Sequence, residues 1–257
     1  MDNSKPFKLG IIGAGGIGSI HIRNSIDSRN VELVGICELK KSQAEACING
    51  QPIPIVKSVG ELIQFEPEGI IIASSTNSHG EVAKEIIEAE IPFLCEKPLA
   101  PNASQIKKMI EVRDQTKRKL MCAQHFRFRK DSQLIKDQST SIGSIYHARS
   151  WMLRRNFLPV SLGFLKKENS GGGPCIDIGV HVLDLTLWFM NNPEPLSVTG
   201  VSKTELAKQP NSFSYNGEYD KEAMNVEDFA AAFVRFKNGA TLMLEVSWML
   251  HHKLPED

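Results

Sequence analysis

A glycine-rich turn set between a strand and a helix constrains this 257-residue chain more than any other feature. Phe7 to Ile12 is a short apolar run that reads as a first strand. It feeds Gly13-Ala14-Gly15-Gly16-Ile17-Gly18, a G-x-G-x-x-G turn. The pattern predicts a helix over 19–28 and a second strand over 31–37 that ends at Glu38. In such a turn Gly13 permits the tight reversal, and Gly15 lets the backbone approach a pyrophosphate. Gly18 allows the helix to pack closely on the strand. Gly16 and Ile17 open the helix, whose free N–H groups and positive dipole end favour phosphate. Glycine-rich turns are common, so the turn alone says little. Here an acid, Glu38, lies 20 residues beyond Gly18, which completes the dinucleotide fingerprint. Glu38 would accept hydrogen bonds from a ribose 2′-hydroxyl, which favours NAD. Lys40 and Lys41 follow at once and leave NADP possible.

Helices and strands then alternate. Helices are expected at 42–48, at 58–65 with Ser58 as cap, at 79–89 and at 103–116. Strands are expected at 53–56, 69–74 and 93–95. That order implies a parallel, doubly wound sheet. Ser74, Ser75, Thr76 and Asn77 fall at the carboxyl end of a strand, where a cofactor crevice opens. His79, at a helix start, reads as structural or peripheral to the cofactor. Glu96-Lys97-Pro98 follows a strand end, and its Lys-Pro bond is a candidate cis peptide. Lys97 there can bind a substrate hydroxyl and lower its pKa, while Glu96 is counted with Lys97 among the cofactor contacts.

A third stretch, Gly171-Gly172-Gly173-Pro174, opens an apolar run that reads as a helix over 176–190. On a regular helix Asp177 and His181, four apart, share one face. A carboxylate holding one imidazole nitrogen leaves the other to take a proton near neutral pH. Asp184 extends this polar strip. The same pair could instead satisfy itself in a core.

Composition closes off other classes. Lys plus Arg and Asp plus Glu number 30 each, so nothing argues for nucleic acid or an acidic membrane. Five cysteines are scattered without a CxxC pair, as in a reduced, cytoplasmic protein. The polar N-terminus carries no secretory leader. No apolar run reaches the roughly 18 residues of a membrane span. No metal-binding set is expected.

Taken together, Gly13-x-Gly15-x-x-Gly18, Glu96-Lys97-Pro98 and Gly171-Gly172-Gly173-x-x-x-Asp177-x-Gly179-x-His181-x-x-Asp184 resemble the glucose–fructose oxidoreductase / inositol dehydrogenase / MocA family, in order and spacing, over essentially the whole chain. The resemblance implies a Rossmann domain, here 1–122, followed by an α+β domain, 123–257, with an open, mostly antiparallel sheet. It implies an NAD(P)-dependent dehydrogenase that interconverts a secondary alcohol and a ketone on a sugar, inositol or related polyol. Lys97, Asp177 and His181 become the catalytic set. The sheet becomes a homo-oligomer interface, of a dimer or tetramer. Ala231, Phe233 and Arg235 mark an outer face that is only partly polar, and Asn238-Gly239 signals a hairpin. Arg154, Arg155 and Asn156 follow a strand and could reach substrate hydroxyls, though such a pair is more often simply solvated. Two other readings come with the family: a glycosidase that uses tightly held NAD, and a regulatory member that binds dinucleotide and sugar without turnover. Family members usually run well beyond 300 residues, and Ser75 stands where many carry a proline.

Overall fold

The computed structural model describes residues 5–139 and 141–250. The four N-terminal residues and the last seven of the expected second domain, 251–257, lie outside that description. The chain divides into two compact units, Met1–Ala123 and Gln124–Asp257.

In the first unit a six-stranded parallel sheet runs in the order β3-β2-β1-β4-β5-β6. The strands are β1 (Phe7–Ile12), β2 (Val31–Cys37), β3 (Ile55–Val56), β4 (Gly69–Ile72), β5 (Phe93–Cys95) and β6 (Leu120–Cys122). Helices α1 (Gly16–Asp27), α2 (Lys41–Ile48), α3 (Val59–Ile63), α4 (His79–Glu88) and α5 (Ala103–Thr116) connect them. Strands buried on both faces are apolar in consecutive positions, and β1 shows why. Ile11 packs with Ile22, Ile36 and Ala44 on one side. Ile12 packs with Ile70, Ile72, Ala83, Ile86 and Met109 on the other. Each fully buried isoleucine stabilises the unit by about 1.5–3 kcal/mol, so both layers of helices are held by this one alternation. Strand order reverses between β1 and β4, and at such a switch point the loops beyond the carboxyl ends part to form a crevice.

Helix α1 starts at Gly16 rather than at residue 19, because Gly15 takes the extended N-cap conformation and the remaining motif residues already wind. Ser58 caps α3 as expected, its hydroxyl accepting the Glu61 N–H at 3.2 Å. The Lys97–Pro98 peptide is cis.

The second unit opens with a 3-10 turn at His125–Phe128, followed by α6 (Lys130–Gln138). Its sheet has the order β7-β10-β9-β8, formed by β7 (His147–Leu153), β8 (Pro195–Lys203), β9 (Phe229–Phe236) and β10 (Thr241–Ser247). β10 runs antiparallel to β9 and parallel to β7, and β8 runs antiparallel to β9. The β9–β10 hairpin turns at Asn238-Gly239, where Gly239 has φ +86°. Two short helices, α7 (Leu162–Leu165) and α8 (Lys167–Ser170), precede the glycine triplet. Helix α9 (Val180–Phe189) lays Leu183 and Leu187 against Val234, Phe236 and Leu242 on the inner face of the sheet. The connection between β8 and β9 is held by Asp228. Its buried carboxylate accepts the N–H groups of Glu205, Leu206 and Ala207 at 2.7–3.2 Å.

One expectation is corrected here. The helix does not wind regularly from residue 176. Cys175–Gly179 forms a π-helical turn before α9 begins. Pro174, which lacks an N–H, heads this turn. Gly179 fits it against β10, where an added Cβ would meet Val246 at 3.2 Å. Asp177 thus lies within this wider turn and His181 in the first turn of α9.

Candidate functional site

Sterics build the dinucleotide turn of the first unit. Gly13 has φ +95°, a conformation open to few other residues. A Cβ on Gly18 would stand 2.2 Å from the Gly13 carbonyl oxygen, so the helix seats on the turn only without a side chain there. Around Gly15 and Gly16, by contrast, an added Cβ would meet nothing within 4 Å. The turn is therefore packed hard underneath and open above, and Ile17 is exposed on the same rim. Glu38 follows β2 and turns back to the motif. Its Oε2 accepts the Ala14 N–H at 2.8 Å and its Oε1 the Lys40 N–H at 2.9 Å. Each carboxylate oxygen has a second lone pair for a ribose hydroxyl. These residues fit a dinucleotide.

The loop after β4 carries Ser74, Ser75, Thr76 and Asn77. Ser74 and Ser78 hydroxyls lie 2.8 Å apart, and the Ser75 hydroxyl donates to Asn77 Oδ1. His79 is buried, with Nδ1 3.0 Å from the Pro98 carbonyl oxygen and Nε2 3.1 Å from that of Ser74. It ties this loop to the segment after Lys97. Glu96 is buried too. Its Oε1 lies 2.7 Å from His21 Nε2, and its Oε2 accepts the Lys97 N–H at 3.2 Å.

In the second unit His181, 6 % exposed, is caged by aromatic rings. Phe126 stacks on it with centroids 5.0 Å apart and planes at 24°, and His125 meets it edge-on at 4.8 Å. The Asp177 carboxylate accepts the indole N–H of Trp248 at 3.0 Å, and Trp248 is wholly buried. Asp184 forms a two-pronged ion pair with Arg127, at 2.7 and 2.6 Å, which makes it a structural clamp between α9 and the 3-10 turn. The glycine triplet has a steric purpose. A Cβ on Gly173 would lie 2.0 Å from the Glu227 carbonyl oxygen. Asn156 is 1 % exposed, and its amide nitrogen and oxygen find no hydrogen-bonding partner among the described residues.

Lys97 thus belongs to the first unit and Asp177 and His181 to the second, each with its own supporting contacts. The sequence reading missed His21, Phe126, His125 and Trp248. Only the aromatic character of His125-Phe126 hinted at a role, because each contact is made across more than 50 residues of chain. Burial pushes the Cys37 thiol, next to Glu38, up to about 11, and the neighbouring carboxylates of Glu38, Glu61 and Glu85 add to the rise. Burial likewise raises Cys175, helped by Glu227. Among the described residues, no group of three or more His, Cys, Asp or Glu is arranged to hold a metal ion.

Comparison with known proteins accords with this construction. Residues 7–124 match a family described as "Oxidoreductase family, NAD-binding Rossmann fold", and residues 129–256 match the "GFO/IDH/MocA C-terminal domain". The D-glucoside 3-dehydrogenase of Escherichia coli K12 is 31 % identical over 253 residues, covering 96 % of this chain and 72 % of that protein. The rhizopine catabolism protein MocA of Rhizobium meliloti is 29 % identical over 205 residues, covering 78 % of this chain and 62 % of that protein. A crystal structure of an NAD-binding protein from Listeria innocua superposes with a TM-score of 0.78 at 26 % identity, over 98 % of this chain and 70 % of that one. The chain, with an NAD-binding Rossmann unit and the C-terminal domain that goes with it, belongs to the GFO/IDH/MocA oxidoreductase family.

Proposed function

We propose that this chain is an NAD-dependent dehydrogenase that oxidises a secondary ring alcohol of a sugar, glycoside or cyclic polyol to the ketone. The carrying observation is the dinucleotide turn, rigid beneath at Gly13 and Gly18, open at Gly15 and Gly16, and rimmed by Glu38. Bound there, NAD supplies the hydride acceptor. Glu38 holds the ribose hydroxyls and repels a 2′-phosphate, which selects NAD over NADP. Ser74, Ser75, Thr76, Asn77 and His79 shape the adjoining loop. Lys97 donates a hydrogen bond to the reacting hydroxyl and stabilises alkoxide character as it develops. His181 takes the hydroxyl proton as general base, and Asp177 supports the imidazolium that results. The buried amide of Asn156, without a partner among the described residues, supports a hydroxyl-rich substrate, since a buried amide is costly unless something satisfies it. The name of the Escherichia coli relative, a D-glucoside 3-dehydrogenase, points the same way.

The test is NADH absorbance on mixing the purified protein and NAD with glucosides, free aldoses, inositols and sugar phosphates. Signal with one class, reduced about 10²–10⁴-fold by Lys97→Ala while NAD affinity holds, is the expected result. Equal losses of turnover and NAD affinity would remove Lys97 from the chemistry. Silence across the panel with NAD still bound would favour the glycosidase or regulatory reading.

The protein acts as a homo-oligomer in a reducing compartment, the cytoplasm, in this reading. All five cysteines are free thiols. No described helix is long and apolar enough to cross a membrane. Trp151, Val201, Phe233 and Met243 stand exposed on the outer face of the second unit's sheet, and a patch of that kind is covered by a second copy. Phe233→Glu should halve the mass seen by light scattering, and an unchanged mass would reject this interface.

A further inference from the structure

The side chain of His21 has no evident duty in the reading above, yet its contacts are specific. His21 lies on α1, the helix that begins at the dinucleotide turn, and its Nε2 lies 2.7 Å from Glu96 Oε1. The other oxygen of that carboxylate accepts the backbone N–H of Lys97. A carboxylate accepts, so Nε2 of the imidazole carries the hydrogen. Both side chains are largely withdrawn from solvent, at 20 % and 9 % exposure, where an unpaired carboxylate would be strongly disfavoured. On the far side of Lys97, His79 reaches the Pro98 carbonyl. The lysine backbone is therefore gripped upstream through Glu96 and downstream through Pro98.

We propose that His21 is a positioning residue, fixing the backbone of Lys97, through Glu96, to the helix that receives the dinucleotide. The inference rests on the dehydrogenase reading only for its consequence in turnover. Its physical content is that His21 and Glu96 set where the Lys97 side chain starts. A reacting group displaced by an ångström loses rate steeply while binding is little changed.

Reductively methylated lysines carrying a ¹³C label report this directly by NMR, with the Lys97 resonance identified by its loss in Lys97→Arg. His21→Leu and Glu96→Gln should each move the Lys97 resonance. The double variant should move it no further than the larger single change, as residues acting in series do. His21→Gln, which keeps an N–H donor, should restore most of the wild-type position. With a turned-over substrate in hand, His21→Leu should lower kcat about tenfold with KM for NAD within roughly twofold. Should His21→Leu fail to fold, Glu96→Gln, nearly isosteric, carries the same resonance test. A Lys97 resonance unmoved in variants that melt like the wild type would overturn the proposal. So would fully additive shifts in the double variant. A resonance that moves as expected in a protein that oxidises none of the sugars tested would uphold the positioning role and sink the dehydrogenase reading alone.

Discussion

The two units build their candidate sites by opposite means. In the first, the turn at 13–18 is shaped by the absence of side chains, and what matters is which glycine is crowded and which is open. In the second, His181 and Asp177 are placed by the presence of large side chains, Phe126, His125 and Trp248, brought from distant segments. A backbone site of the first kind is rigid once the strand and helix pack. A side-chain site of the second kind depends on each ring that surrounds it, and so offers more positions at which it can be retuned.

That contrast is sharpest in glycine replacements. Gly18→Ala forces a Cβ to within 2.2 Å of a carbonyl oxygen and should lower stability by about 2–4 kcal/mol in urea melts, with NAD affinity falling alongside. Gly15→Ala enters open space, so its melt should stay within about 0.5 kcal/mol of the wild type while NAD affinity drops through direct obstruction. Early melting of Gly15→Ala with normal NAD binding would break the distinction. In the second unit Trp248→Phe keeps most of the packing and removes the indole hydrogen bond to Asp177. The loss of a hydrogen bond to a charged group should be about 1.5–3 kcal/mol, with turnover reduced and NAD affinity untouched. A variant as active as the wild type would show that Asp177 needs no such holder.

A last effect concerns pH. The Cys37 thiol is raised in the folded protein to about 11, by burial first and by the Glu38, Glu61 and Glu85 carboxylates after it, against about 8.5 in an unfolded chain. Its contribution is whole below the unfolded value and disappears as pH climbs through the folded one. Stability of the wild type should therefore sag between about pH 8.5 and 11, and Cys37→Ala should flatten that limb relative to neutral pH. Parallel alkaline limbs in the two proteins would assign the sag to other groups.

What the sequence discloses follows the same division. The dinucleotide turn, α5 at Ala103–Thr116, the Ser58 cap and the Asn238-Gly239 turn all depend on residues a few positions apart, and local spacing carries them. β6 escaped because Leu120–Cys122 follows directly on Lys117-Arg118-Lys119, a charged run that reads as the solvated end of α5. The contacts around the candidate site residues span 71 residues from Trp248 to Asp177 and 75 from His21 to Glu96. No local pattern encodes such pairs. The π-turn escaped for a subtler reason, since the apolar run through it is as compatible with a regular helix.

That turn also acts as a change of phase. Along a regular helix positions 177, 181 and 184 advance by about 100° per residue and fall in one stripe, facing one neighbour. The wider turn at 175–179 advances less per residue, which swings Asp177 around the stripe relative to His181 and Asp184 without taking it off that face. Asp177 turns to the indole beyond the end of β10, while His181 and Asp184 turn to the segment around Phe126 and Arg127. The single helical stretch thereby addresses two separate parts of the unit.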